Sequence, residues 1–157
     1  DNTSKRTHEV AGALVENGIN PKIMHSRIFE DKSLSQIRLM GRVLTTLSLE
    51  KDIGLAHMCL TRKMFEEEGV RSVATEEFIN FPRSIKGVKV ALFFKERVSA
   101  PGMIDVSFRS SQEVDVDLIA SRFGGGGHKR AAGCVVKGSL EEARDKVLEE
   151  ARKALRG

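Results

Sequence analysis

Four consecutive glycines, Gly124 to Gly127, followed at once by His128, Lys129 and Arg130, constrain this chain more than any other stretch. Glycine loses more backbone entropy on ordering than any other residue, so a folded chain that keeps four in a row needs a reason for them. They permit positive φ, and they let a ligand approach bare main chain whose N–H groups form an anion-binding concavity. The three residues that follow add donors and positive charge suited to phosphate. The string is not a Walker loop, because His128 precedes Lys129 and no Ser or Thr follows. Nor is it the dinucleotide fingerprint, since Lys129 and Arg130 stand where its last glycine is needed. A flexible linker is the competing account, weakened by the absence of serine and by the small residues Ala131 and Ala132 just beyond.

The rest of the composition sets bounds. A length of 157 residues suits one domain, or a small domain plus an appended fragment, and 40% hydrophobic residues can build a core. No run approaches the ~20 apolar residues of a membrane helix, and residues 1–20 carry no secretory signal. Two cysteines, Cys59 and Cys134, make no disulfide framework, which predicts a reducing, cytoplasmic setting. The net charge of +4 is compatible with a phosphate-bearing partner.

Apolar spacing divides the chain into elements. Thr3 or Ser4 caps a first helix with Val10, Ala11, Leu14 and Val15 on one side, and Asn20-Pro21 starts a short second one. With so little sequence before it, the first helix reads as the tail of a domain whose front lies outside this chain. Ser33 opens a third helix to about Leu47, with an apolar stripe of Leu34, Ile37, Met40, Leu44 and Leu47. Strands are expected over 53–60, 88–94, 103–109 and 133–136. Helices are expected after Thr61, after Thr75, over 114–123, and from the Ser139–Glu142 capping box onward. The fold class is therefore α/β: a mixed β-sheet flanked by helices, preceded by a helical linker segment.

Other candidates are weaker. Alternation puts Asp105, Ser107 and Arg109 together on the strand face opposite Phe108. Arg109-Ser110-Ser111 offers a guanidinium fork and hydroxyls where a strand runs into a loop, though a plain exposed arginine fits equally well. Asp115 and Asp117 suit a helix cap better than a metal. His57 and Cys59 share one strand face, but no second pair completes a tetrahedral site. His8 and His25 are isolated. No nucleophile–base pair or carboxylate pair assembles a self-contained active site. With eight Phe and neither Trp nor Tyr, a long stacking platform is not expected, and a short ligand fits better.

Taken together, Val106-Ser-Phe-Arg-Ser110, Val114-Asp-Val-Asp-Leu-Ile-Ala120 and Phe123-Gly-Gly-Gly-Gly-His-Lys-Arg-Ala-Ala-Gly133 resemble the C-terminal domain of DHH-type phosphoesterases. The best match is the NrnA-like branch of nanoRNases, 3′-phosphoadenosine 5′-phosphate phosphatases and cyclic-dinucleotide-linked phosphodiesterases. The resemblance implies that residues 1–30 are the end of a catalytic DHH domain, 31–49 a linker helix and 50–157 the substrate-binding domain. It implies contacts to substrate phosphate from Gly125, Gly126, Gly127 and His128, contacts to the terminal nucleotide from Arg109 and Ser110, and a place near the cleft for Asn80. The family's catalytic domain holds two metal ions, usually manganese, through residues that include an Asp-His-His signature. This chain has no such signature, so no cofactor is expected in it, manganese is expected in the missing catalytic domain, and no hydrolysis is expected from the chain alone. The implied partner is a short single-stranded oligonucleotide or nucleotide phosphate, without a membrane. Alternatives are an RNA-binding module related to the C-terminal domain of alanyl-tRNA synthetase, a fragment of a RecJ-like single-strand exonuclease, or a structural fragment that forms homo-oligomers through the Leu34–Leu47 stripe.

Overall fold

A computed structural model describes residues 3–70, 75–111 and 114–156. The chain divides into two compact units, residues 1–34 and 35–157. The first contains α1 (Lys5–Glu16) and α2 (Pro21–Phe29). The Ser4 hydroxyl accepts from the Thr7 N–H at 3.2 Å, and the Thr7 hydroxyl accepts from the Ser4 N–H at 3.1 Å. Asn20 caps α2 by accepting from Lys22 and Ile23, with Pro21 at the first helical position. Both starts follow from the sequence because a cap depends on neighbours three residues away. The apolar stripe of α1 encloses nothing: no residue of α1 or α2 is buried, and Val10, Leu14 and Val15 are exposed.

The second unit runs α3 (Leu34–Thr45), β1 (Ser48–Glu50), β2 (Leu55–Leu60), α4 (Arg62–Glu67), α5 (Asn80–Arg83), β3 (Val90–Glu96), β4 (Met103–Ser110), α6 (Val116–Ser121), β5 (Gly126–His128), β6 (Ala131–Lys137) and α7 (Leu140–Arg156). The six strands form one mixed sheet in the order β1-β2-β3-β4-β6-β5. β2 and β3 are parallel because the chain between them, carrying α4 and α5, is long enough to cross back; the other pairs are antiparallel. The expected α/β class is what forms.

Local departures have local causes. The strand expected over 53–60 begins only at Leu55, since a turn at 51–54 folds the chain back on β1. The helix after Thr75 starts at Asn80, because the chain first turns, with the Phe78 N–H on the Thr75 carbonyl at 3.0 Å. The second half of the glycine run is an edge strand, β5, rather than an open loop.

The two faces of the sheet are covered unequally. On one, Leu92, Phe94, Val106 and Phe108 lie under Val116, Ile119 and Ala120 of α6 and Ala143, Val147 and Ala151 of α7. On the other, Met58, Leu60, Ala91 and Phe93 lie under Leu39 and Val43 of α3, Phe65 of α4, and Phe78 and Ile79. This second layer stops at β3. Five successive residues of β3 are buried, whereas β4 alternates half-buried and buried along its whole length. β6 alternates in the same way. One half of one sheet face, formed by β4, β6 and β5, is therefore open.

Candidate functional site

Strand pairing decides what stands on the open half-face. Arg109 of β4 pairs with Ala131 of β6, which pairs with His128 of β5; the next row is Ser107, Gly133 and Gly126, and the one after is Asp105 and Val135. Arg109 and His128 thus end one row with a methyl group between them, and the row beside it contributes two glycines. Strands lie about 4.8 Å apart, so the two basic residues bracket a gap of roughly 10 Å, wide enough for a phosphate group. Arg109 is half-buried and spends one N–H on the Phe108 carbonyl at 2.9 Å, leaving most of its five donors for a ligand. His128, Lys129 and Arg130 are exposed.

The glycines divide by purpose. Gly124 ends α6 with φ +71°, and the Gly125 N–H reaches back to the Ala120 carbonyl at 3.0 Å, a left-handed helix stop. A Cβ on Gly125 would lie 2.2 Å from the Gly133 carbonyl, and one on Gly127 2.5 Å from that of Ala131, so both are required by the close packing of the run on β6. Gly126 and Gly133 are different. A Cβ on Gly126 would meet only the Asp117 carboxylate at 3.6 Å, and one on Gly133 the Val106 carbonyl at 3.4 Å. Packing leaves room for side chains there, and the open floor has none.

Ser110 falls on the other side. Alternation turns it from the Arg109 face, and it is 6% exposed. Its hydroxyl donates to the Val114 carbonyl at 2.6 Å and reaches the Lys129 carbonyl at 3.2 Å, while its N–H donates to Arg130 at 3.2 Å. The Val116 N–H also donates to Lys129 at 2.9 Å. Ser110 therefore ties the β5–β6 turn to the end of β4 and the start of α6, and it holds His128 in register rather than facing the open surface. Asn80, exposed at the start of α5, belongs to the helix layer over β2 and β3 and is not brought into the Arg109–His128 row.

The other titratable candidates settle as structure. Asp115 caps α6 by accepting from the Asp117 N–H at 3.1 Å. Burial pushes the thiols of Cys59 and Cys134 up to about 11, so both are protonated at neutral pH. Burial likewise holds the His57 imidazole below its usual range. Among the described residues no group of three or more His, Cys, Asp and Glu is placed to hold a metal ion. No helix of the described residues is long and apolar enough to cross a membrane.

Residues 54–157 match the DHHA1 domain family. This chain belongs to the DHH family, through its C-terminal DHHA1 domain. Over 155 residues it is 31% identical to the bifunctional oligoribonuclease and PAP phosphatase NrnA of Thermus thermophilus, covering 98% of this chain and 45% of that protein. An exopolyphosphatase-related protein from Bacteroides fragilis superposes with a TM-score of 0.84 at 28% identity, over 99% of this chain and 46% of that one. A pGpG-specific phosphodiesterase, PggH from Vibrio cholerae, shares the fold with a TM-score of 0.58 at 14% identity, over 99% of this chain and 52% of that one. The chain thus spans about half the length of these relatives. Lys95 and Arg97 flank Asp105 on the open half-face, a placement the sequence does not show because only the β3–β4 pairing brings them there.

Proposed function

We propose that this chain is the substrate-gripping half of a phosphoesterase acting on short oligonucleotides, 3′-phosphoadenosine 5′-phosphate or linear dinucleotides. The observation that carries the reading is the register row Arg109–Ala131–His128 on an uncovered sheet face. Arg109 presents a fork to phosphate oxygens, His128 donates from the opposite end, and Lys129 and Arg130 raise the positive potential at the rim. The narrow floor of Ala131, Gly133 and Gly126 lets the ligand lie against main chain. The oligoribonuclease and phosphatase activities in the name of the Thermus relative support nucleotides that carry a terminal phosphate.

Hydrolysis belongs to a metal-bearing catalytic domain, with manganese the expected ion. The described residues of this chain do not fit such an ion, so no step of the reaction runs through them and the chain alone is expected to be inactive. Its own contribution is to bind, orient and hold the phosphate end of the substrate.

Titration calorimetry of the 157-residue chain with 3′-phosphoadenosine 5′-phosphate at fixed ionic strength tests this. Arg109→Ala and His128→Ala are each expected to weaken binding by about tenfold or more, the scale of a lost hydrogen bond to a charged group. Absence of nucleotide binding, or binding indifferent to both changes, would overturn the reading. A preference for long folded RNA with a steep salt dependence would favour the RNA-binding alternative.

A further inference from the structure

The face of the sheet turned away from the Arg109 row is roofed by α6 and α7, and a cavity of about 410 Å³ opens to solvent between those two elements. It is lined by Arg122 and Phe123, which follow α6, and by Lys146, Glu149 and Glu150 of α7. The α7 residues share one side of the helix because they stand three and four positions apart. Phe123 is half-buried and packs against the core beneath the two helices. None of these residues belongs to the open half-face, so the cavity is independent of the phosphate grip.

Its charges are unequally satisfied. Arg122 Nη1 donates to Glu150, and Lys153 reaches Glu149 and Glu150 at 2.8 Å each. Lys153 first, and Arg122 next, hold the Glu150 carboxyl below the usual range. Lys146, by contrast, makes no hydrogen bond or ion pair among the described residues. Glu142, four residues before it, is engaged at the helix start, where it accepts from the Ser139 N–H at 3.2 Å. Arg122 spends one N–H on Glu150 and leaves Nε and Nη2 uncommitted. Arg122, Lys146 and Lys153 thus oppose two carboxylates, an excess of one positive charge.

That excess selects the ligand. A single carboxylate neutralises it, whereas a phosphate dianion brings a second negative charge against Glu149 and Glu150. A guanidinium fork and an ammonium are matched donors for a carboxylate. The Phe123 ring offers an aromatic body a surface to pack on, and the volume lies within the range of small-molecule sites. We propose that the α6–α7 cavity binds a small aromatic monocarboxylate, its carboxylate held by Arg122 and Lys146 and its ring lying on Phe123.

The probe is 2-naphthoate, titrated into the isotope-labelled 157-residue chain and followed by backbone amide shifts, with 2-naphthamide as its uncharged counterpart. Saturable shifts are expected to centre on Arg122, Phe123 and Lys146. Naphthamide is expected to bind about tenfold more weakly than naphthoate, the scale of a lost charge-assisted hydrogen bond. Lys146→Gln and Arg122→Gln are each expected to weaken naphthoate by about fivefold, and Phe123→Leu by a similar factor. Circular dichroism melts confirm that each variant is folded, and the exposed Lys146 keeps the test sound if Phe123→Leu is not. Arg109→Ala is expected to leave naphthoate binding unchanged. Equal affinity for naphthoate and naphthamide, or affinity unchanged in both Lys146→Gln and Arg122→Gln, overturns the carboxylate clamp. Displacement of naphthoate by an equal concentration of inorganic phosphate overturns the choice of a monocarboxylate. Shifts centred on Arg109 and His128, or no saturable shift at all, overturn the site.

Discussion

At the scale of single residues, the glycine run separates positions that packing requires from positions that packing leaves open. Gly125 has no room for a methyl group, because Gly133 and Cys134 of β6 occupy the space, whereas the site of a Gly126 methyl is open. Gly125→Ala is expected to lower unfolding free energy by roughly 1–3 kcal/mol, the scale of overpacking. Gly126→Ala is expected to stay within about 0.5 kcal/mol of the wild type. Urea unfolding of both variants checks the contrast, and equal losses would show that the run packs differently. Both residues were legible in the sequence as unusual, and the phosphate reading treated them alike. Their difference lies in the partner strand, whose distance no local pattern encodes. Ser110 makes the same point. Its hydroxyl was visible as a donor next to Arg109, but strand alternation sends it into main-chain bonds that brace the turn after His128.

At the scale of elements, α3 shows how far periodicity reaches. Its existence and length follow from the spacing of apolar residues, but the stripe Leu34, Ile37, Met40, Leu44 and Leu47 is not the buried one. Leu39 and Val43 are buried, Met40 and Leu44 pack beside them, and Ile37 is 48% exposed. Two apolar stripes share this helix, and sequence alone does not say which meets the sheet. Leu39→Ala is expected to cost about 2–5 kcal/mol through lost burial and the cavity left behind. Ile37→Ala is expected to change stability by no more than about 0.5 kcal/mol. Thermal melts of the two variants decide between the stripes, and a larger loss at Ile37 would contradict the packing. α7 was legible more fully. Its Ser139–Glu142 capping box forms, with both hydrogen bonds at 3.2 Å, because both partners lie within one turn.

At the scale of the whole molecule, acid sensitivity collects where the edge hairpin meets α7. Arg152 holds Glu50 in three hydrogen bonds of 2.8–3.2 Å across 102 residues of sequence, and this keeps the carboxyl below its usual 4.5. His57 nearby is held below its usual 6.5, mainly by burial and then by Arg144, with Glu50 acting in the opposite sense. As pH falls through 6.5 the unfolded chain takes up a proton at this histidine before the folded chain does, so stability that is complete above 6.5 declines below it. The Glu50 contribution is present above 4.5 and is lost as pH falls through its lower folded value. Unfolding free energies measured from pH 7.5 down to about 3 are expected to fall in two stages. His57→Leu should remove the first; a first stage of undiminished size in that variant would assign it to another group.

The caps, the alternating strands and the glycine–histidine string were determined by the sequence itself, because each depends on residues a few positions apart: a side chain reaching its own helix start, or a pleat turning over every second residue. They identified the class of fold, and they supply the donors of the anion site proposed above. Only the tertiary structure decided that α3, α4 and α5 stop covering the sheet at β3, that Arg109 and His128 share a row across β6, and that Lys95 and Arg97 flank Asp105. Those facts depend on the register between strands far apart in the chain, and register is set by which faces must be buried together.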